Sequence, residues 1–113
     1  MSLKVNVRQV GQVAVIDLSG KITLGEGSGT LRDTVAEVSA KGNKNILLNM
    51  ADVSYIDSAG LGELVGSYTS VTTKGGQLKL EHLQTKLKDL MQITKLHTVF
   101  HVFEAEDEAI ASY

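Results

Sequence analysis

Leu3, Val5 and Val7 alternate with Lys4, Asn6 and Arg8, the period-2 pattern of a strand buried on one face. Gly11 ends that run. The following QVAVIDLSG is apolar at nearly every step to Leu18, which predicts a more central strand forming a hairpin with the first. After the glycine-rich GEGSG, Leu31, Val35 and Val38 fall at helical spacing, Gly42 supplies a stop, and Ser28 or Thr30 is the expected cap. NILLNM, at 45–50, predicts a short strand covered on both sides. Leu61, Leu64, Val65 and Tyr68 then predict a helix from about Ser58 to the Gly75-Gly76 pair. Leu78 and Leu80 alternate with Lys79 and Glu81 in a further strand, and Thr85 can cap a third helix with Leu87, Leu90 and Met91 on its apolar face. HTVFHVF predicts a last strand and EDEAIASY a short closing helix. The order β-β-α-β-α-β-α-β-α implies an α/β fold whose later strands pair in parallel through right-handed crossovers.

Composition narrows what such a fold can do. With 113 residues and no linker or low-complexity tract, the expectation is one domain over 1–113 with one core. The absence of cysteine excludes disulfides and zinc-thiolate sites, and fits a cytoplasmic protein. The opening MSLKVNVRQV lacks the basic end and apolar block of a signal peptide, and no run approaches the ~20 apolar residues of a membrane helix. A net charge of −2 with mixed signs, and no tryptophan, argue against nucleic acid. No metal or cofactor is implied.

The chemically distinctive stretch is YIDSAGLGELV, residues 55–65, where an apolar run becomes a helix. Asp57 and Ser58 are the residue types expected to cap a helix start. The pair Gly60 and Gly62 exceeds a capping role, because each glycine in the first turn costs about 1 kcal/mol relative to alanine. Bare backbone N–H groups there suit a bulky anion or a closely packed partner. A phosphate on Ser58 would add roughly −1.5 to −2 charges where a helix terminus tolerates them, yet would repel an acidic or apolar docking surface.

Other chemistries are weaker. GEGSG is spaced G-x-G-x-G and follows a hairpin strand, so it departs from a dinucleotide fingerprint. DSAG is half a nucleophile elbow, but Ile56 occupies the place of the glycine that permits the strained turn, and nothing in the sequence brings His97, His101 or Asp89 to the serine. On a strand, His97 and His101 would share a face with Val99 and Phe103 as half-buried neutral side chains, not as metal ligands. Glu106, Asp107 and Glu108 suit a solvated turn or helix start.

YIDSAGLGELVGSYTSVTTKGGQLKLEHL resembles the STAS domain proteins, specifically the bacterial anti-sigma factor antagonists, with an acid-Ser-Ala-Gly-Leu-Gly turn, a helix and a Gly-Gly approach to a strand. The likeness extends through LSGKIT, LLNMADVSYIDS and LMQITKLHTVF, nearly the whole chain. It implies a small mixed sheet with about four helices and places the family's phosphorylated serine on Ser58. Asp57, Ala59, Gly60, Leu61 and Gly62 would shape the docking surface, with Thr23, Leu24 and Gly25 at its edge. By that resemblance the unmodified protein binds an anti-sigma factor that is also a serine kinase and so releases a sigma factor. Phosphorylation ends binding, a metal-dependent serine phosphatase restores it, and the domain itself catalyses nothing. One departure is visible: Gly20-Lys21-Ile22-Thr23 has threonine where many members carry an acid. STAS domains also serve as unmodified interaction subunits of lipid-transport ATPases or of signalling assemblies, in which the same helix start would be a constant docking surface.

Overall fold

A computed structural model describes residues 3–113; the first two positions of the expected domain lie outside it. Leu3–Val10 (β1) and Val13–Ile22 (β2) pair antiparallel, with Val10 opposite Val13 and Gly11 turning the chain at φ 59°. Three further strands, Asn45–Ile56 (β3), Gln77–Glu81 (β4) and Val102–Phe103 (β5), add in parallel, so the sheet order equals the chain order. Four helices intervene: Glu26–Ala40 (α1), Ser58–Thr73 (α2), Thr85–Ile93 (α3) and Glu106–Ala111 (α4). The mixed five-stranded sheet and the alternation of elements are those predicted from the patterning.

The sheet separates two apolar clusters, because successive strand residues face opposite sides. Ile16, Leu18, Ile46, Leu48 and Met50 pack with Leu31, Val35, Leu64, Val71, Leu87 and Met91, which puts α1, α2 and α3 on one face. Val13, Val15 and Leu47 point the other way and meet Ala109 of α4, joined by Phe103, Ile110 and Tyr113. β2 and β3 are therefore apolar on consecutive positions, as strands covered on both sides must be.

Several boundaries differ from expectation for identifiable reasons. β3 runs to Ile56 rather than stopping at Met50, since it stays paired to β2 through register shifts after its ladder with β4 has ended at Asn49. α1 starts at Glu26, capped by Gly25 at φ 96°, so neither Ser28 nor Thr30 is its cap. Ser28 is buried, and its hydroxyl donates back to the Gly25 carbonyl at 3.4 Å. Thr85 is the first residue of α3, and the cap is Gln84, without a side-chain bond. HTVFHVF is not one strand: Leu96–Thr98 form a 3-10 turn after Lys95 enters the left-handed region at φ 62°, and only Val102–Phe103 join the sheet. Phe100 is drawn into the core edge-on to Tyr68, with centroids 5.2 Å apart, which breaks the alternation a strand would need. In β1, Leu3 is buried but Val5 and Val7 are exposed, because this edge strand outruns the helices that cover its neighbours.

Candidate functional site

The ends of β2 and β3 feed α1 and α2, and the two helix starts close upon the same piece of backbone. A Cβ on Gly27, in the first turn of α1, would collide with the carbonyl oxygen of Lys21; one on Gly60, in the first turn of α2, would collide with that of Ile22. Both glycines thus serve close helix-to-strand approach. The glycine of GEGSG nearest a fingerprint position is filled by protein backbone rather than open to a phosphate.

Asp57 joins the two starts. It is the N-cap of α2, in extended conformation, and its Oδ1 accepts the N–H of Gly60 at 2.8 Å. Its Oδ2 accepts the N–H of Leu24 at 3.0 Å, and its own N–H donates to the Ile22 carbonyl at 3.3 Å. The Gly60 and Leu24 N–H groups, in that order, hold the Asp57 carboxyl below its ordinary range, against a smaller opposing effect of desolvation. The turn Thr23–Gly25 is thereby fastened beside residues 58–62.

Because Asp57 caps, Ser58 does not. Ser58 is the first helical residue and is exposed. Ala59 and Leu61 are half-buried, Leu61 against the main core; Gly62 is exposed, and a Cβ there would have nothing within 4 Å. The two glycines that look equivalent in sequence therefore differ: Gly60 is closed by backbone, while Gly62 leaves the helix surface bare. Thr23 is half-buried, Gly25 exposed, and Leu24 79 % exposed.

Tyr55 was not singled out in the sequence, yet it is 55 % exposed beside this turn. Alternation gave no signal for it, since Val53, two residues earlier on the same phase, is buried in the core. Tyr55 and Ile56 also border a cleft of about 310 Å³ floored by Leu87 and Leu90, with Lys86 and Gln84 at its rim.

The alternative groups do not converge on the serine. His97 sits on the 3-10 turn with Nδ1 3.3 Å from the Met91 carbonyl, and lines a cleft with Asp89 that Ser58 does not border. His101 borders a different cleft, with Tyr68 and Lys79, so the two histidines share no strand face. Among the described residues no group of three candidate ligands forms a metal site.

Residues 4–109 match the STAS domain model. The chain belongs to the STAS domain family. The anti-sigma-B factor antagonist of Bacillus subtilis is 32 % identical over 102 residues, covering 90 % of this chain and 92 % of that protein. An anti-sigma factor antagonist from Mycobacterium paratuberculosis has the same fold, with TM-score 0.87 and 20 % identity over 98 % of this chain and 93 % of that one. So does the Bacillus cell fate determinant SpoIIAA in its phosphorylated form, with TM-score 0.73, 21 % identity, and coverage of 96 % and 98 %. In this STAS domain the signature DSAGLG thus spans the cap, the exposed hydroxyl, the close-packed Gly60 and the open Gly62.

Proposed function

We propose that this STAS domain, taken as one unit over residues 1–113, is an anti-sigma factor antagonist acting in the cytoplasm. Its unmodified form binds an anti-sigma factor that is also a serine kinase, releasing a sigma factor; phosphorylation of Ser58 ends that binding. A metal-dependent phosphatase reverses the modification. The observation carrying this reading is that Asp57 performs the capping, which leaves the Ser58 hydroxyl exposed at the first helical position. The name of the Bacillus subtilis relative, whose length this chain nearly matches, supports the same class.

The domain contributes an acceptor, not a catalyst. In the transfer, the Ser58 oxygen forms a bond to the γ-phosphorus of ATP as the bond to the β-γ bridging oxygen breaks; ADP leaves, and the hydroxyl proton passes to a base of the kinase. The product adds roughly −1.5 to −2 charges at the positive end of α2, where the helix accommodates it. The same charge stands next to Asp57, which holds the turn of the exposed Leu24, and an apolar partner surface there would be repelled. Turning a complex from about 99:1 to 1:99 requires roughly 5.5 kcal/mol, within reach of charge and desolvation effects at an interface centre.

The test is the intact mass of the protein isolated from its native host with phosphatase inhibitors, with any added phosphate mapped and the isolation repeated for Ser58→Ala. One phosphate on Ser58, absent from the variant, is expected. An unmodified protein across growth and stress conditions overturns the switch and favours a constantly docked STAS subunit.

A further inference from the structure

On the sheet face opposite α1, α2 and α3, the last residue of β4 is Glu81, 0 % exposed, and among the described residues no N–H or O–H group reaches either of its carboxyl oxygens in bonding geometry. An ionised carboxylate in that position would lack both water and a donor, a cost that buried carboxyls avoid by holding their proton.

The surrounding charges cannot relieve it. Arg8 of β1 is committed elsewhere: Nε and Nη2 donate to Asp17 of β2 at 2.8 and 3.0 Å, while Nη1 and Nη2 donate to Glu106 of α4 at 2.8 and 2.6 Å. Asn49 of β3 and Asn6 of β1 donate to Asp17 as well, at 2.9 and 3.3 Å. Lys79, on the same face of β4, turns away between Phe103 and Tyr113 and donates to the carbonyl and hydroxyl of Ser112. His82 brings Nε2 to 3.2 Å from Glu81 Oε1, but it is 39 % exposed and water screens it. The single charge of Arg8 is thus already shared between the Asp17 and Glu106 carboxylates, and none of its N–H groups reaches Glu81.

We infer that Glu81 is protonated and donates to the Glu106 carboxylate, a one-proton latch that holds α4 on the sheet and loosens when the proton is withdrawn. Burial first, and then the bond to Glu106, push the Glu81 carboxyl up to about 8 from an ordinary 4.5; Arg8 foremost holds Glu106 below its ordinary range. A carboxyl whose folded value exceeds its unfolded one stabilises fully below the unfolded value. That stabilisation declines as pH rises from about 4.5 and is gone above about 8. Asp17, drawn down to about 2, is ionised in both states across this window and adds no slope. The latch closes α4 over Val13, Val15 and Leu47, so its release uncovers the smaller apolar cluster.

The test is amide hydrogen exchange of the protein between pH 5.5 and 8.5, corrected for intrinsic exchange, alongside an NMR titration of the Glu81 side-chain carboxyl carbon. The expected result is a carboxyl that titrates near 8 and a 10- to 100-fold loss of α4 protection with rising pH. Glu81→Gln should remove that pH dependence while β3 amides remain slow. A carboxyl titrating near 4.5, a flat α4 profile in the unmodified sequence, or an unchanged slope in Glu81→Gln overturns the latch. If Glu81→Gln does not fold, the carboxyl titration decides alone.

Discussion

Gly60 faces Ile22 so closely that any side chain on it would meet the Ile22 carbonyl oxygen, whereas Gly62, two residues on, faces open space. The contrast separates fold from surface within a single helical turn. Gly60→Ala should lower stability by about 1 to 3 kcal/mol, because backbone on both sides must shift. Gly62→Ala should raise it by up to about 1 kcal/mol through helix propensity, while adding a methyl group where a partner would dock. Thermal or denaturant unfolding of the two variants checks the pair; equal effects would mean that the close approach of α2 to β2 is not as described.

At Ser58 the predicted effects on fold and on binding part company. Ser58→Asp should leave the unfolding midpoint nearly unchanged, since an acid in the first helical turn is tolerated and the cap is Asp57. The same variant should weaken partner affinity at least tenfold in titration calorimetry, while Ser58→Ala binds like the unmodified protein. A large loss of stability in either variant would show that the serine holds the helix start after all.

Much of this site was legible in the residues, and what was not has particular causes. The helix from Ser58, the strands on either side of it and the hairpin followed from apolar spacing, which burial imposes directly. The division of labour between Asp57 and Ser58 did not, because both are good caps and only geometry shows which oxygen reaches Gly60. Nor did the tie from Asp57 to Leu24, which spans 33 positions and involves a backbone N–H, a group that every sequence carries alike. The strand expected at HTVFHVF failed because Lys95 turns left-handed and Leu96–Thr98 curl into a 3-10 turn, which leaves only Val102–Phe103 to pair with β4. β3 was underestimated because its polar second half, ADVSY, pairs only with the irregular end of β2.

Asp57 should matter twice over. Asp57→Ala removes the acceptor for Gly60 and the tie to Leu24 together, so the midpoint should fall, and the Leu24 and Gly60 amides should exchange faster than in Ser58→Ala. Because its carboxyl is held below the ordinary 3.8, its stabilising contribution is present above that value and is lost as pH falls through the lower folded one. Acid unfolding of Asp57→Ala should therefore begin from a lower plateau and be less steep below pH 4 than that of the unmodified protein. Identical acid limbs would assign the acid sensitivity elsewhere, with Asp17 and its bonds to Arg8 the next group to test.

The exposed apolar residues around the serine provide the sharpest test of a docking surface, because the chain carries its own control. Leu24 and Tyr55 are 79 % and 55 % exposed and flank the start of α2, while Ile93, equally exposed at 79 %, lies at the far end of α3. Truncating any of them to alanine should alter stability by less than about 0.5 kcal/mol, since little packing is lost. If an anti-sigma factor docks at Ser58, Leu24→Ala and Tyr55→Ala should each reduce its affinity, with the aromatic residue the stronger anchor, at about 1 to 2 kcal/mol. Ile93→Ala should leave that affinity unchanged. The reverse order, with Ile93 dominant and Leu24 and Tyr55 neutral, would move the interface to α3 and leave the Ser58 hydroxyl exposed beside no partner.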